Sequence, residues 1–191
     1  MATPTSLPAT FVAGNVLTAA QMNDLRGAFR ILQVVSTTKT DTFSASVAVG
    51  AVTDVTGLSA TITPSAASSK ILVMTSVHGA NSQSNVYAGL TVVLKRDSTQ
   101  ISIGDAASNR FRATASNLPL LSSSAASMSN VAFNYLDSPN TTSATTYQIE
   151  IANAIISGVT ATLYVNRSSA DDNFSYVPRP TSTITVMEVS A

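Results

Sequence analysis

The sequence predicts an all-β fold, an antiparallel β-sandwich or jelly roll that follows a short N-terminal arm and helix. From Gln33 onward, apolar and polar residues alternate in short runs, as they do in half-buried strands. Turn-forming residues separate these runs every eight to twelve residues or so, which is the spacing of sandwich folds. No helical period occurs between the runs, so a βαβ architecture is excluded. A chain of 191 residues is long enough to bury one core without cross-links.

The first element is an arm. Residues 1–14 are rich in Pro, Thr and Ala and show no period, which predicts an extended segment that includes the apolar pair Phe11 and Val12. Such a segment buries too little apolar surface to fold by itself.

A helix of about four turns is predicted next, ending at residue 32. Thr18 and Gln21 have the spacing of a capping box. Apolar residues recur at helical intervals: Leu17, Met22, Leu25, Phe29 and Leu32. An isolated helix of this length is marginal in water, so it needs a partner surface. We therefore predict an attachment segment over residues 1–32 and a β-sandwich domain over 33–191.

The strands follow in order. Phe43 to Val49 and Leu58 to Ile62 alternate clearly, and Pro64 ends the second run. Further strands are predicted over 70–78, 86–97, 99–103, 128–136, 147–152, 159–166 and 183–189. A tight turn is predicted at Asp97 and Ser98, another turn at residues 137–139, and a loop over residues 109–117. The apolar run from Ile71 to Met74 predicts a strand covered on both faces.

Composition excludes several classes of protein. The chain has no Cys, which excludes disulfides and thiolate metal sites, and its formal net charge of +0 gives no electrostatic basis for binding nucleic acid. The N-terminal residues lack the pattern of a secretion signal, and no apolar run is long enough to predict a membrane span or insertion. Only 10% of residues are charged while 45% are hydrophobic. Such a surface favours association between copies, although an ordinary β domain with an uncharged surface is the simpler alternative.

The residues that could perform hydrolytic or metal chemistry are few. His78 is the single histidine and ends a predicted strand, and there is no GxSxG nucleophile motif. One histidine without cysteine does not supply a usual zinc site. Asp171 and Asp172 offer oxygen ligands for calcium, but an adjacent pair lacks the staggered spacing of a calcium loop and is more typical of a solvated turn. We predict no metal and no cofactor.

A glycoside hydrolase needs two converging carboxylates. The two glutamates, Glu150 and Glu188, lie in separate predicted strands near the end of the chain. They can in principle meet across a sheet, but salt bridges or a subunit contact are the simpler interpretation. Aromatic residues, which would form a carbohydrate platform, lie mostly in strands where core packing is expected. Tyr176, in the loop sequence FSYVPRP, is the exception.

The segment FVAGNVLTAAQMNDL, residues 11–25, resembles the opening of many tail-fibre and other virion structural proteins of tailed bacteriophages. The resemblance is carried by Phe11, Gly14, Leu17, Thr18, Ala19, Ala20 and Asn23. The strands are similar to the small β domains of such proteins, in SSKILVM, NYLDSPNTTSATTYQIEI and STITVMEVS. The resemblance implies a virion protein, and jelly rolls of the tumour-necrosis-factor type imply assembly of three copies around an axis.

The leading functional hypothesis is a homotrimeric virion protein, a small fibre, spike or capsid-decoration protein. Its attachment residues would be Phe11, Val12, Leu17, Met22, Leu25, Phe29 and Leu32, docked on other virion proteins of the tail or capsid. The second hypothesis is a module that binds a host-surface receptor, glycan or protein, through loops at 109–117 and 171–180. The third is a glycan depolymerase, which lacks the motifs it needs.

Overall fold

The computed structural model describes residues 31–83, 89–117, 125–154 and 158–190, together with Gly14, Val16, Thr18 and Ala19. These residues contain eleven strands. The strands are β1 Ile31–Lys39, β2 Phe43–Val47, β3 Val52–Ile62, β4 Lys70–Asn81, β5 Leu90–Arg96, β6 Thr99–Ile101, β7 Ala115–Asn117, β8 Ser129–Asp137, β9 Thr145–Ala152, β10 Ala161–Val165 and β11 Ser182–Val189.

The strands form two antiparallel sheets, which confirms the predicted sandwich. Sheet A has the order β1-β11-β4-β10-β2, and β8 pairs with the other side of β4. Sheet B has the order β3-β9-β5-β6, and β7 also pairs with β5. Pairs such as β1 with β11 and β3 with β9 join residues far apart in the chain, so the fold is held mainly by long-range contacts.

The core lies between the two sheets. Sheet B contributes the inward side chains of β3, β5 and β9, including Leu58, Leu94 and Ile149, and all three are fully buried. Sheet A opposes them with residues such as Val73 and Ile184. The period of two in the sequence thus places one apolar set inward from each sheet, as expected for a sandwich.

The predicted tight turn after β5 is confirmed. Asp97 and Ser98 connect β5 to β6, and Asp97 has a positive φ of 52°. Its carboxylate accepts a hydrogen bond from the Thr146 backbone N–H at 2.9 Å, which ties the turn to β9. The second turn was predicted at residues 137–139, but Asp137 is the last residue of β8, and the connection to β9 bends later, at Thr142 and Ser143.

Three further predictions are wrong in detail. Leu32 was placed at the end of a helix, but Ile31 and Leu32 begin β1, because Ile31 already pairs with Val189 of β11. The loop predicted over 109–117 ends in a strand, because β7 pairs with β5. Of the predicted helix, Ala19 is helical, and most of its remaining residues lie outside those described.

The third error concerns the strand that begins at Ile71. Ile71 and Val73 are fully buried, whereas Leu72 is partly exposed and Met74 is 38% exposed. The run from Ile71 to Met74 therefore covers one face of the sheet only. Its other apolar side chains point away from the core.

Candidate functional site

The outer face of sheet A carries apolar side chains in register across four neighbouring strands. Val34 of β1 pairs with Met187 of β11, Met187 with Leu72 of β4, and Leu72 with Leu136 of β8. Val34 and Leu136 are each 54% exposed. Neighbouring strands lie only about 4.8 Å apart, so these four side chains form one continuous apolar row.

The next two rows contain uncharged polar side chains and two apolar ones, Met74 and Ala132. The second row is Ser36, Thr185, Met74 and Asn134, and the third is Thr38, Thr183, Ser76 and Ala132. The hydroxyls of Ser36 and Thr185 lie 2.8 Å apart and form a hydrogen bond. We call these three rows the assembly face. Its side chains carry no formal charge, so covering it requires no ion to leave water.

Lys70 and His78 lie at the margins of this face. Lys70 begins β4 and donates a hydrogen bond to the Ser138 hydroxyl at 2.6 Å. His78 continues β4 beyond the third row, where Asn130 and the Thr181 carbonyl contact its ring nitrogens at 3.0 and 2.9 Å. Its described polar contacts are with an amide and a backbone carbonyl, which is not the arrangement of a Ser–His pair.

The two glutamates do not converge. Glu188 points inward from sheet A and is fully buried, whereas Glu150 lies on the outer face of sheet B, on the opposite side of β9 from the core residues Ile149 and Ile151. Sheet B therefore separates the two carboxylates. A glycosidase pair flanking one sugar bond is excluded for these residues.

Each glutamate has its own structural partners. Glu150 lies 3.5 Å from the Lys95 ammonium and accepts a hydrogen bond from Gln100 at 2.7 Å. Glu188 accepts hydrogen bonds from the backbone N–H and hydroxyl of Ser65 and from Gln33, at 2.6 to 2.7 Å. Burial by itself would raise the pKa of Glu188, but these hydrogen bonds outweigh burial and lower the pKa to about 2. The carboxylate is therefore held ionised as a structural acceptor.

Asp171 is part of an arginine cluster and not of a calcium loop. Arg179 donates two hydrogen bonds to its carboxylate, at 3.0 and 2.7 Å, and Arg167 lies 3.3 Å away. The hydrogen bonds from Arg179 lower the pKa of Asp171. Within the described part of the chain, no group of three or more His, Cys, Asp or Glu side chains is placed to hold a metal ion.

The same loop presents two aromatic rings to solvent. Phe174 and Tyr176 stack nearly parallel, with ring centroids 5.2 Å apart and an interplanar angle of 7°. They are 57% and 68% exposed. Because Arg179 and Asp171 bridge the loop that carries them, the rings lie on a braced segment. The expected exposure of Tyr176 agrees with this geometry.

Most of the predicted attachment residues lie outside the described part of the chain: Phe11, Val12, Leu17, Met22, Leu25 and Phe29. Leu32 lies in β1 and is 42% exposed, next to the assembly face. The assembly face itself was missed at the level of sequence. Its signal was present in the alternation of β4, β8 and β11, but only the strand pairing brings those residues into one row.

No family model and no curated protein matches the chain. Among solved structures, it is similar to the T=1 particles derived from infectious bursal virus, at 19% identity and a TM-score of 0.41, and to the T13 particle of the same virus, at 16% and 0.41. Each of these two structural matches covers 83% of this chain and 36% of the matched viral chain. A VP2 subviral particle of infectious bursal disease virus is 16% identical, with a TM-score of 0.37. The chain spans just over a third of these proteins, and TM-scores this low carry no inference about its function.

No helix among the described residues is long and apolar enough to cross a lipid bilayer.

Proposed function

We propose that this chain is a structural protein of a bacteriophage particle, a homotrimeric small fibre, spike or capsid-decoration protein that assembles through the assembly face. The observation that carries the proposal is the apolar row Val34, Met187, Leu72 and Leu136, set in three rows without a charged side chain. The bacteriophage assignment rests on the resemblance of residues 11–25 to virion proteins. The threefold symmetry rests on the resemblance to trimeric jelly rolls.

The energetics of this face favour covering it. Val34 and Leu136 are more than half exposed, and burying apolar surface contributes about 25 cal/mol per Å². Extended apolar patches on soluble proteins commonly mark interaction sites. The hydroxyl and amide groups of the second and third rows can exchange hydrogen bonds with a neighbouring copy, so few polar groups are left unpaired.

The attachment function of residues 1–32 is part of the same proposal. β1 begins at Ile31 as one outer strand of the four that form the assembly face. The preceding segment therefore enters the domain beside that face. Docking of Phe11, Val12, Leu17, Met22, Leu25 and Phe29 on a tail or capsid protein would hold the assembled copies on the particle.

The test is the native mass of the full-length chain by light scattering, compared with the variant Leu136→Asp. A charge at Leu136 would be buried without a partner in the assembled form, so we expect the trimer to dissociate into monomers that remain folded. Val159→Asp is the matched control, because Val159 is 49% exposed and lies outside the assembly face. A monomeric wild type, or a trimer unaffected by Leu136→Asp, would contradict the proposal.

A second candidate function is recognition of a host-surface receptor. It is favoured by the exposed stacked pair Phe174 and Tyr176 on a loop held by Asp171 and Arg179. Exposed aromatic rings on braced loops supply contact area at low entropic cost. Binding of the purified protein to host cells, reduced by Tyr176→Ala and unchanged by Val159→Asp, would support this function. Equal binding by wild type and Tyr176→Ala would show that this loop does not contact the receptor.

A further inference from the structure

An open pocket of about 780 Å³ lies beside sheet B, lined in part by Val52 of β3 and Gln100 of β6, the two outer strands of that sheet. One wall is the turn between β2 and β3, residues 49–52. The other wall is formed by the connection between β6 and β7, which contributes Asn109, Arg110, Phe111 and Arg112, and Gln100 also lines the pocket. A volume of this size accommodates a ligand of two or three sugar rings or another molecule of that size.

The two arginines of this pocket have no ion-pair partner where the structure describes the chain. Arg96, Arg167 and Arg179 each form an ion pair with a carboxylate, whereas no carboxylate lies within ion-pair distance of Arg110 or Arg112 in the described part of the chain. The nearest carboxylate in sequence, Asp105, belongs to the same connection and forms no ion pair with either arginine. Arg110 and Arg112 therefore line one pocket, and neither has an ion-pair partner among the described residues.

The connection that carries the arginines is ordered by its own hydrogen bonds. Thr114 fixes one end, because its backbone N–H donates to the Val92 carbonyl at 3.0 Å and its hydroxyl accepts from the Leu94 N–H at 2.8 Å. Gly104 donates to the Ala113 carbonyl at 3.2 Å and closes the loop across its base. The Arg112 Nε–H donates to the Gly104 carbonyl at 2.6 Å, so that guanidinium is oriented before any ligand binds.

The opposite wall is fixed as well. The side-chain amide of Asn153 is fully buried and donates to the carbonyls of Val47 and Val159, at 2.9 and 3.1 Å. The backbone of Asn153 exchanges hydrogen bonds with the turn, accepting from Gly50 at 2.8 Å and donating to Ala51 at 3.1 Å. Both walls are therefore built from hydrogen-bonded backbone, and the space between them is preformed.

We propose that this pocket binds an anionic saccharide, whose carboxylate or phosphate pairs with Arg110 and Arg112. The planar guanidinium fork matches both anions with two parallel hydrogen bonds. Gln100 and Asn109 offer amide donors and acceptors to sugar hydroxyls, and Phe111 offers a ring face to the apolar side of a pyranose. The inference deepens the receptor-binding candidate by naming a ligand class and a second site, and it does not depend on trimer formation.

The experiment is calorimetric titration of the full-length protein in 0.15 M salt, which screens nonspecific attraction to positive charge. The probes are trigalacturonate for the carboxylate, mannose 6-phosphate for the phosphate, and a neutral galactose trisaccharide. We expect one of the acidic probes to bind and the neutral trisaccharide to bind at least about tenfold more weakly. Failure of both acidic probes to bind at millimolar concentration, or equal binding of the neutral probe, would overturn the proposal.

The variants Arg110→Gln and Arg112→Gln should each weaken binding of the acidic probe about tenfold or more. Arg112→Lys keeps the charge but loses the fork, and should restore only part of the affinity. Lys70→Gln is the matched control, because it removes one positive charge from sheet A, outside the pocket, and should leave affinity unchanged. Unfolding midpoints and native mass should be equal for all variants. If both arginine variants bound the acidic probe as well as wild type, the proposed site would be refuted. If the variants lost the acidic probe but still bound host cells, the receptor hypothesis would stand on another part of the surface.

Discussion

Two buried carboxylates show how single residues join separate strands of this sandwich. Glu188 is fully buried and receives hydrogen bonds from Ser65 and Gln33, which join β11 to β1 and to the turn after β3. Asp137 at the end of β8 binds Arg96 of β5 and the Tyr147 hydroxyl of β9, so it connects the two sheets. Asp137 has a cation beside it and Glu188 has neutral hydrogen-bond donors, whereas a buried ion without such partners would cost several kcal/mol.

The pKa of Glu188 predicts a dependence of stability on pH. Its folded pKa of about 2 lies below the ordinary value of 4.5, so its ionised form stabilises the folded state above about pH 5. That contribution, on the order of 3 kcal/mol, should be lost as the pH falls from about 4.5 towards 2. Urea unfolding of wild type and Glu188→Gln across this range measures it. We expect the difference in unfolding free energy between the two proteins to shrink as the pH falls, and parallel curves would contradict this.

The Tyr147 hydroxyl gives a second prediction at this scale. Burial raises the pKa of Tyr147, and its hydrogen bond to Asp137, at 2.7 Å, raises it further, so the hydroxyl remains a donor. Tyr147→Phe should lower the free energy of unfolding by about 1–2 kcal/mol, because one oxygen of a buried carboxylate loses a donor. Tyr176→Phe is the control, since Tyr176 is 68% exposed, and its effect should stay below about 0.5 kcal/mol. Equal effects would show that Asp137 is satisfied without Tyr147.

Among the elements, β4 organises sheet A. It pairs with β11 and then β10 along one side and with β8 along the other, so its register sets the position of three strands. Gly79 lies where β10 approaches most closely. A Cβ atom at this position would overlap the Tyr164 carbonyl oxygen and would lie 3.2 Å from a methyl group of Leu90.

Gly79→Ala should therefore destabilise the domain by about 3 kcal/mol or more, because backbone cannot move aside without breaking the pairing of β4 with β10. Gly104→Ala is the matched control, since its Cβ would meet only the Ala113 carbonyl, at 4.0 Å. Thermal unfolding followed by circular dichroism compares the two. A similar melting temperature for both variants would contradict this prediction, because it would mean that β10 leaves room for a Cβ atom at Gly79.

At the scale of the whole molecule, the domain boundary predicts an outcome for truncation. β1 begins at Ile31 and pairs with β11 almost from its first residue, so a chain that starts at Ile31 retains every described strand. We expect this shortened protein to fold with an unfolding free energy close to that of the full chain. It should lose incorporation into particles, which a particle-binding assay with full-length protein as reference measures. Normal incorporation would contradict the attachment function of residues 1–30.

The period of side chains along the chain was enough to locate the strands from β2 to β11 apart from the short β7, and to predict a sandwich, because alternation with period two follows from the geometry of any single strand. This period did not show that Leu32 belongs to β1. An apolar residue there fits a helix or a strand equally well, and the pairing of β1 with β11 makes it a strand. Nor could alternation tell that Met74 faces outward, or that Val34 and Leu136 share a row with Leu72, since register between distant strands depends on which strands pair. The separation of Glu150 from Glu188, and the meeting of Arg110 and Arg112 with the turn at 49–52, likewise arise only when the two sheets fold together.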